Sequence, residues 1–236
     1  MTVSPLRRFI LAALLWLPFA FFVWFAFAPQ FVWPVVQIAK LVLLHGWPRL
    51  FLDVLQGADE IGSDGHLLAH HGFWMQVNTN VLYNAAPAGV GARLAYFDFP
   101  INPMIYGYCV PLFAGLVMAT PLARHWRAVQ IAAGLLILWL VQSFGVVSEA
   151  FKSVGIDLKE GAQTMAQLGY SLDLIALCYQ FGYLILPPLI PAVLWILFNR
   201  AFIEEITRFG RPLPVPEVSA AEPNRIRRVE TQQPGD

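Results

Sequence analysis

Twenty-five consecutive residues, Leu174–Phe198, carry no formal charge. About 20 apolar residues suffice to cross the ~30 Å hydrocarbon layer of a bilayer. One end of the stretch holds Cys178, Tyr179, Gln180 and Tyr183, and its middle holds Pro187, Pro188 and Pro191. Polar groups and prolines are tolerated in lipid only where neighbouring helices satisfy them. The span therefore requires company. Three further uncharged runs supply it: Phe9–Ala28, Ile105–Leu122 and Ala128–Val147. Charged residues make up 13% of the 236-residue chain, about half the share in soluble domains. The deficit sits in the four runs. The chain reads as mainly α, a polytopic membrane protein built as a four-transmembrane-helix bundle.

The first run follows Arg7 and Arg8 and ends at Ala26-Phe27-Ala28, which mimics a signal-peptide cleavage site. At 20 residues it exceeds the ~7–15 of a signal core, and Pro29 is unfavourable just after a cut. It reads as an uncleaved anchor. Phe31–Leu44 contains Gln37 and Lys40 and stops at His45-Gly46-Trp47-Pro48; Leu50–Leu55 continues an apolar pattern around Asp53. With Trp33, Trp47 and Arg49 as headgroup-level anchors, Phe31–Leu55 is expected to form one or two interfacial helices.

Gly57–Pro103 is the one sizeable hydrophilic block between spans. In Phe73–Tyr83, Met75, Val77, Thr79 and Val81 alternate with Gln76, Asn78 and Asn80, the period of a strand. Arg93–Phe99 alternates again, and Asn84–Ala92 is a suitable connection. A small β element, at least a hairpin, is expected, covered by the Phe31–Leu55 helices or by a partner because two strands alone are marginal. Ser148–Ser171 reads as a short, partly helical polar loop. Ala201–Phe209 reads as an exit helix, and the Pro-rich tail beyond it as disordered. The resulting organisation is an N-terminal anchor (1–30), an extracytoplasmic segment (31–103), a three-span region (104–200) and a cytoplasmic end (201–236).

Four spans place both termini on one side. That side then carries ten basic residues, including Arg7, Arg8, Arg124, Arg127 and Arg200, against five on the other. The positive-inside rule makes it cytoplasmic. Residues 29–103 and 148–172 then lie outside the inner membrane of a bacterium. A fifth span at Phe31–Leu44 would move Arg7-Arg8 or the arginine-rich tail outward, and is rejected.

At ~1.5 Å per residue, several polar groups share a depth near the outer surface. They are Asn102, Tyr106 and Tyr108, then Gln142, Ser143 and Glu149, then Tyr179, Gln180 and Tyr183. They could form a binding seam in the outer leaflet. Ordinary interhelical hydrogen bonding with an aromatic belt accounts for them equally well, and is favoured. Cys109 and Cys178 match in depth as a candidate thiol pair. Two inert buried thiols are the plainer reading, and a nucleophilic role lacks any spacing that supplies a base. His66, His70 and His71 near Asp64 suggest a metal only weakly, since Gly65 and Gly72 oppose the helix that would align them. No metal site, cofactor or nucleic-acid partner is expected. The middles of the spans contain no Asp, Glu, Lys or Arg, which argues against an ion-coupled transporter. The three prolines of the last span should free carbonyls near Tyr183, Leu184 and Pro187 and bend it.

Four stretches resemble the exosortase H-associated membrane proteins. They are Leu6–Phe25 (LRRFILAALLWLPFAFFVWF), Phe99–Leu116 (FPINPMIYGYCVPLFAGL), Gln142–Lys152 (QSFGVVSEAFK) and Cys178–Trp195 (CYQFGYLILPPLIPAVLW). The likeness runs to about Phe209. It implies an inner-membrane partner of an exosortase, the polytopic Cys-dependent enzyme that processes C-terminal sorting tails. It carries over no catalytic residues. The expectation is a non-enzymatic accessory protein that binds exosortase or its exported substrate among membrane lipids. A membrane thiol peptidase or transpeptidase, and a lipid- or small-molecule-binding protein, are the alternatives.

Overall fold

The computed structural model describes residues 4–62, 66–85, 91 and 93–209. Helix α1 (Pro5–Ala26) begins where the Ser4 hydroxyl accepts from the Arg7 amide and Pro5 takes the first turn. There a missing N–H costs nothing. Helix α2 (Ala28–Gly46) follows after a break at Phe27, with Pro29 in its first turn. Val32, Val35, Val36, Ala39 and Leu43 form an i, i+3, i+4, i+7 stripe and are fully buried, against α5 on one side and the sheet on the other. Each of the valines and the leucine contributes roughly 1.5–3 kcal/mol relative to exposure, so this stripe ties the sheet to the bundle.

The β element is a three-stranded antiparallel sheet in the order β1 (Phe51–Ile61), β2 (Leu67–Asn84), β3 (Leu94–Ile101). One expectation changes here and another is extended. Leu50–Leu55 is not helical: Phe51 onward is strand β1, with Phe51 opposite Thr79 and Leu55 opposite Gln76. Its apolar spacing fits a helix, but Leu50, Phe51 and Val54 are buried where β2 and α2 meet them. Phe73–Tyr83 does pair antiparallel with the Arg93–Phe99 stretch, as β2 with β3, but it lies within an 18-residue central strand that β1 flanks on its other side. Its expected apolar face, Met75, Val77, Thr79 and Val81, is the buried one. The Thr79 hydroxyl donates to Phe97 O, and its amide donates to Asp98 Oδ1 at 3.1 Å. Gly57 (φ 93°) sits at a bulge in β1, in backbone that favours glycine. Part of the expected Asn84–Ala92 connection lies outside the described residues.

Met104–Ala119 is the shorter apolar helix of the bundle, comprising α3 (Met104–Gly107) and α4 (Cys109–Ala119). It packs against α1, α5 and α8. Helix α5 (Arg124–Lys152) continues through a π-helical turn, Ser153–Asp157. The third apolar run therefore extends into what reads as a loop from sequence, and only α6 (Lys159–Gln167) and its short flanks separate it from the last span. Trp47 and Phe51 pack edge-on against Phe151, and Trp47 Nε1 donates to the Tyr170 hydroxyl at 2.8 Å. These contacts carry α5 into the sheet's core.

The last span is continuous over Leu172–Phe198. It comprises α7 (Leu172–Gln180), a π-helical turn (Phe181–Ile185) and α8 (Leu186–Phe198). The Leu186 amide reaches back to Phe181 O, so the helix widens just ahead of Pro187-Pro188, whose missing amides would orphan two carbonyls. Buried Asn199 ends it, donating to Trp195 O and Gln130 Oε1. Helix α9 (Arg200–Phe209) follows. The Pro-rich tail lies outside the described residues. Three helices, Pro5–Ala26, Arg124–Asp157 and Leu172–Phe198, are long and apolar enough to cross a membrane.

Candidate functional site

Small residues let the helices approach at the level of the expected seam. A Cβ added at Gly145 would lie 2.3 Å from Tyr106 Cδ1, and one at Gly182 would lie 3.0 Å from Gly145 Cα. One added at Gly107 would lie 2.2 Å from Gln142 Nε2. Tyr106 fills the space so created and is 1% exposed. Glu149 lies near its hydroxyl, with Glu149 Oε2 buried and without a hydrogen-bond partner, and its ring meets Tyr183 edge-on at 6.1 Å. Tyr183 in turn stacks parallel on Tyr179 at 5.8 Å. Gln142 is buried, and its Nε2 donates to Pro103 O at 3.3 Å.

Tyr106, Glu149, Tyr179 and Tyr183 thus meet in one cluster, with Gln142 adjoining it through Gly107. The other expected members stand apart in their bonding. Asn102 Oδ1 accepts from the Met104 amide at the start of α3. Ser143 donates to Trp139 O within its own helix. Tyr108 is half-buried, and Gln180 is exposed. Cys109 is fully buried with its Sγ donating to Tyr106 O at 3.4 Å, Cys178 is half-buried, and both are free thiols.

Lys152 belongs to this cluster although its sequence position gave no sign of it. Its Nζ lies 2.7 Å from Asp157 Oδ2 and 5.4 Å from the centre of the Tyr179 ring. The π-helical turn brings Lys152 and Asp157 together, and a helical wheel does not display that turn.

The sheet supplies a second concavity. A groove of about 550 Å³ runs along it, lined by Asp59, His70, Trp74, Gln76, Asp98 and Pro100 among others. His70 Nδ1 lies 2.7 Å from Asp59 Oδ1, and His71 Nε2 lies 3.0 Å from Glu60 Oε2. The histidines are thus cross-strand partners of carboxylates. Among the described residues no three His, Cys, Asp or Glu side chains cluster as metal ligands would; Asp64 lies outside them. Strand β3 pairs with β2 only from Met75 onward, so among the described residues Leu67–His71 is strand-paired on the β1 side alone. Beneath the sheet, Lys40 Nζ lies 2.8 Å from Asp53 Oδ1 and links α2 to β1. The Lys40 hydrogen bond holds the Asp53 carboxyl below its ordinary value.

The apolar spans, the tyrosine cluster and the outlying sheet all fall within one match to known families, over residues 3–202: the exosortase H-associated membrane proteins. The chain belongs to this family. No curated protein and no solved structure matches it. The family description makes the chain a membrane protein associated with exosortase H, in agreement with its three long apolar helices. Its Leu6–Phe25, Phe99–Leu116, Gln142–Lys152 and Cys178–Trp195 stretches all lie inside the matched region.

Proposed function

We propose that this family member is a non-enzymatic accessory protein of a bacterial exosortase sorting system, acting by binding the exosortase or its exported substrate. Met104–Ala119 serves as a fourth span beside the three longer ones, with both termini cytoplasmic. Residues 29–103 and 148–172 face outward, as the arginine distribution favours. The tyrosine cluster and the sheet then share the outer side of the membrane.

The observation that carries the binding role is the half-paired central strand. Edge addition does not apply across Met75–Asn78, where β1 and β3 occupy both sides. Among the described residues, Leu67–His71 has a side without a strand partner, next to the groove containing Trp74 and Pro100. An extended segment of the partner adds there through main-chain hydrogen bonds, with the groove receiving its side chains.

Co-purification with a tagged exosortase from detergent-solubilised membranes tests the reading. The intact chain is expected to be retained. A chain with residues 57–103 replaced by a Gly/Ser linker of equal length is expected to be lost. Full-strength retention of that variant refutes the role of the sheet, and failure of the intact chain to co-purify refutes the accessory reading itself.

A further inference from the structure

We propose that the end of the bundle where α1 begins and α9 lies holds a built site for one anionic glycerophospholipid. A cavity of about 400 Å³ opens there between α1, the α4–α5 turn and α9. Arg8 and Arg127 line it together with Phe9, Ala12, Trp16 and Met118. The lining thus joins two cations to an apolar wall, the two halves of a lipid.

Arg127 is the deciding residue. Its Nη2 donates to Thr120 O at 3.1 Å, while its Nε is buried and has no hydrogen-bond partner. Guanidinium groups bind phosphate oxygens through paired N–H donors, and Arg127, anchored through Thr120, lines the cavity together with a second guanidinium, Arg8. The wall around it is preorganised. Thr120 is fully buried and its Oγ1 accepts from Trp195 Nε1 at 2.9 Å. Phe9 stacks on Trp195 at 5.2 Å and meets Phe202 at 5.4 Å. Helix α5 starts at this level after Ala123, with no side-chain cap, and leaves the positive end of a 29-residue helix nearby.

Glu205 also lines the cavity and is exposed. The three charged groups sum to one positive charge, which complements a phosphodiester with a single negative charge. The carboxylate favours a headgroup that carries donors, as the diol of phosphatidylglycerol does. The choline headgroup has neither the net charge nor the donors. Basic pockets between membrane helices recognise acidic headgroups by this chemistry. The site is independent of any exosortase partner.

Native mass spectrometry of the full chain in detergent tests it, with phosphatidylglycerol, phosphatidylcholine or inorganic phosphate added. Retention of phosphatidylglycerol over phosphatidylcholine is expected, with retention falling about thirtyfold in the R8Q/R127Q variant and unchanged in R124Q, whose arginine does not line the cavity. A second variant, Ala12→Phe, keeps both arginines and fills the apolar wall. It is expected to lose phosphatidylglycerol as well, and it decides the matter if the double variant does not fold. Equal retention of the two lipids, or undiminished retention in Ala12→Phe, overturns the proposal. Displacement of the lipid by millimolar inorganic phosphate overturns the lipid assignment, leaving a site for phosphate alone; resistance to it supports the lipid.

Discussion

Replacing Gly145 by alanine tests the packing that creates the tyrosine cluster. The added methyl would sit 2.3 Å from Tyr106 Cδ1 and 2.9 Å from Cε1 and Cγ. Comfortable carbon contacts need about 3.5–4.0 Å, so the ring must retreat by more than ~1 Å. It has little room to do so. Tyr106 is 1% exposed and its ring abuts Tyr183. Overpacking of this kind costs roughly 1–3 kcal/mol. The better helix propensity of alanine offsets up to ~1 kcal/mol. With that offset in full, a net destabilisation of up to about 2 kcal/mol follows, read from reversible unfolding in mixed micelles. Gly46→Ala is the control, because nothing lies within 4 Å of an added Cβ there. It should be neutral or slightly stabilising. The sharper measurement is a double-mutant cycle with Tyr106→Ala, which removes the obstructing ring. The double variant should be more stable than the sum of the single effects by about 1 kcal/mol or more. Additivity within ~0.5 kcal/mol would refute the steric contact, and with it the account of how the cluster is held.

The Lys40–Asp53 pair predicts a pH dependence. The folded-state pKa of Asp53 is lowered by the Lys40 hydrogen bond, so its contribution is present above the unfolded carboxylate value of about 4 and is lost as pH falls through the lower folded value. The stability gap between wild type and Asp53→Asn should therefore be open at neutral pH and close on acidification towards about pH 3; a gap that widens on acidification contradicts the sign. The two cysteines predict a stepwise thiol titration. Cys178, half-buried, should react with a bulky disulfide reagent in the native protein, and Cys109, fully buried, only after unfolding. A denatured, unreduced sample that yields no thiols would establish a disulfide instead.

Much of the bundle is legible from the chain because lipid imposes a one-dimensional rule. A span must be long, apolar and uncharged, and the uncharged runs at the cores of Pro5–Ala26, Arg124–Asp157 and Leu172–Phe198 announce themselves this way. The strand face Met75, Val77, Thr79 and Val81 is also readable, since a period of two needs no knowledge of the partner. Leu50–Leu55 misleads because positions 50, 51, 54 and 55 fit a helical stripe, and only pairing with β2 selects the extended form. Of the candidate cluster, Tyr106, Glu149, Tyr179 and Tyr183 share a depth that counting residues finds. Lys152 escapes because a π-helical turn, set by packing and not by local pattern, brings it to Asp157.

The sequence by itself determined the membrane class, the apolar runs, the family and the buried face of β2. These depend on composition, on length and on periods intrinsic to the backbone. The tertiary structure decided what rests on contacts between distant segments. Glycines at 107, 145 and 182 acquire meaning only when Gln142, Tyr106 and the facing helix press against them. The central position of β2 depends on strands far from it in the chain. Arg127 reads from sequence as one more positive-inside anchor; only the fold brings it to a cavity that Arg8 also lines. A charge pattern selects a side of the membrane, whereas a site needs groups brought within hydrogen-bond reach, and the packing of four apolar segments supplies that.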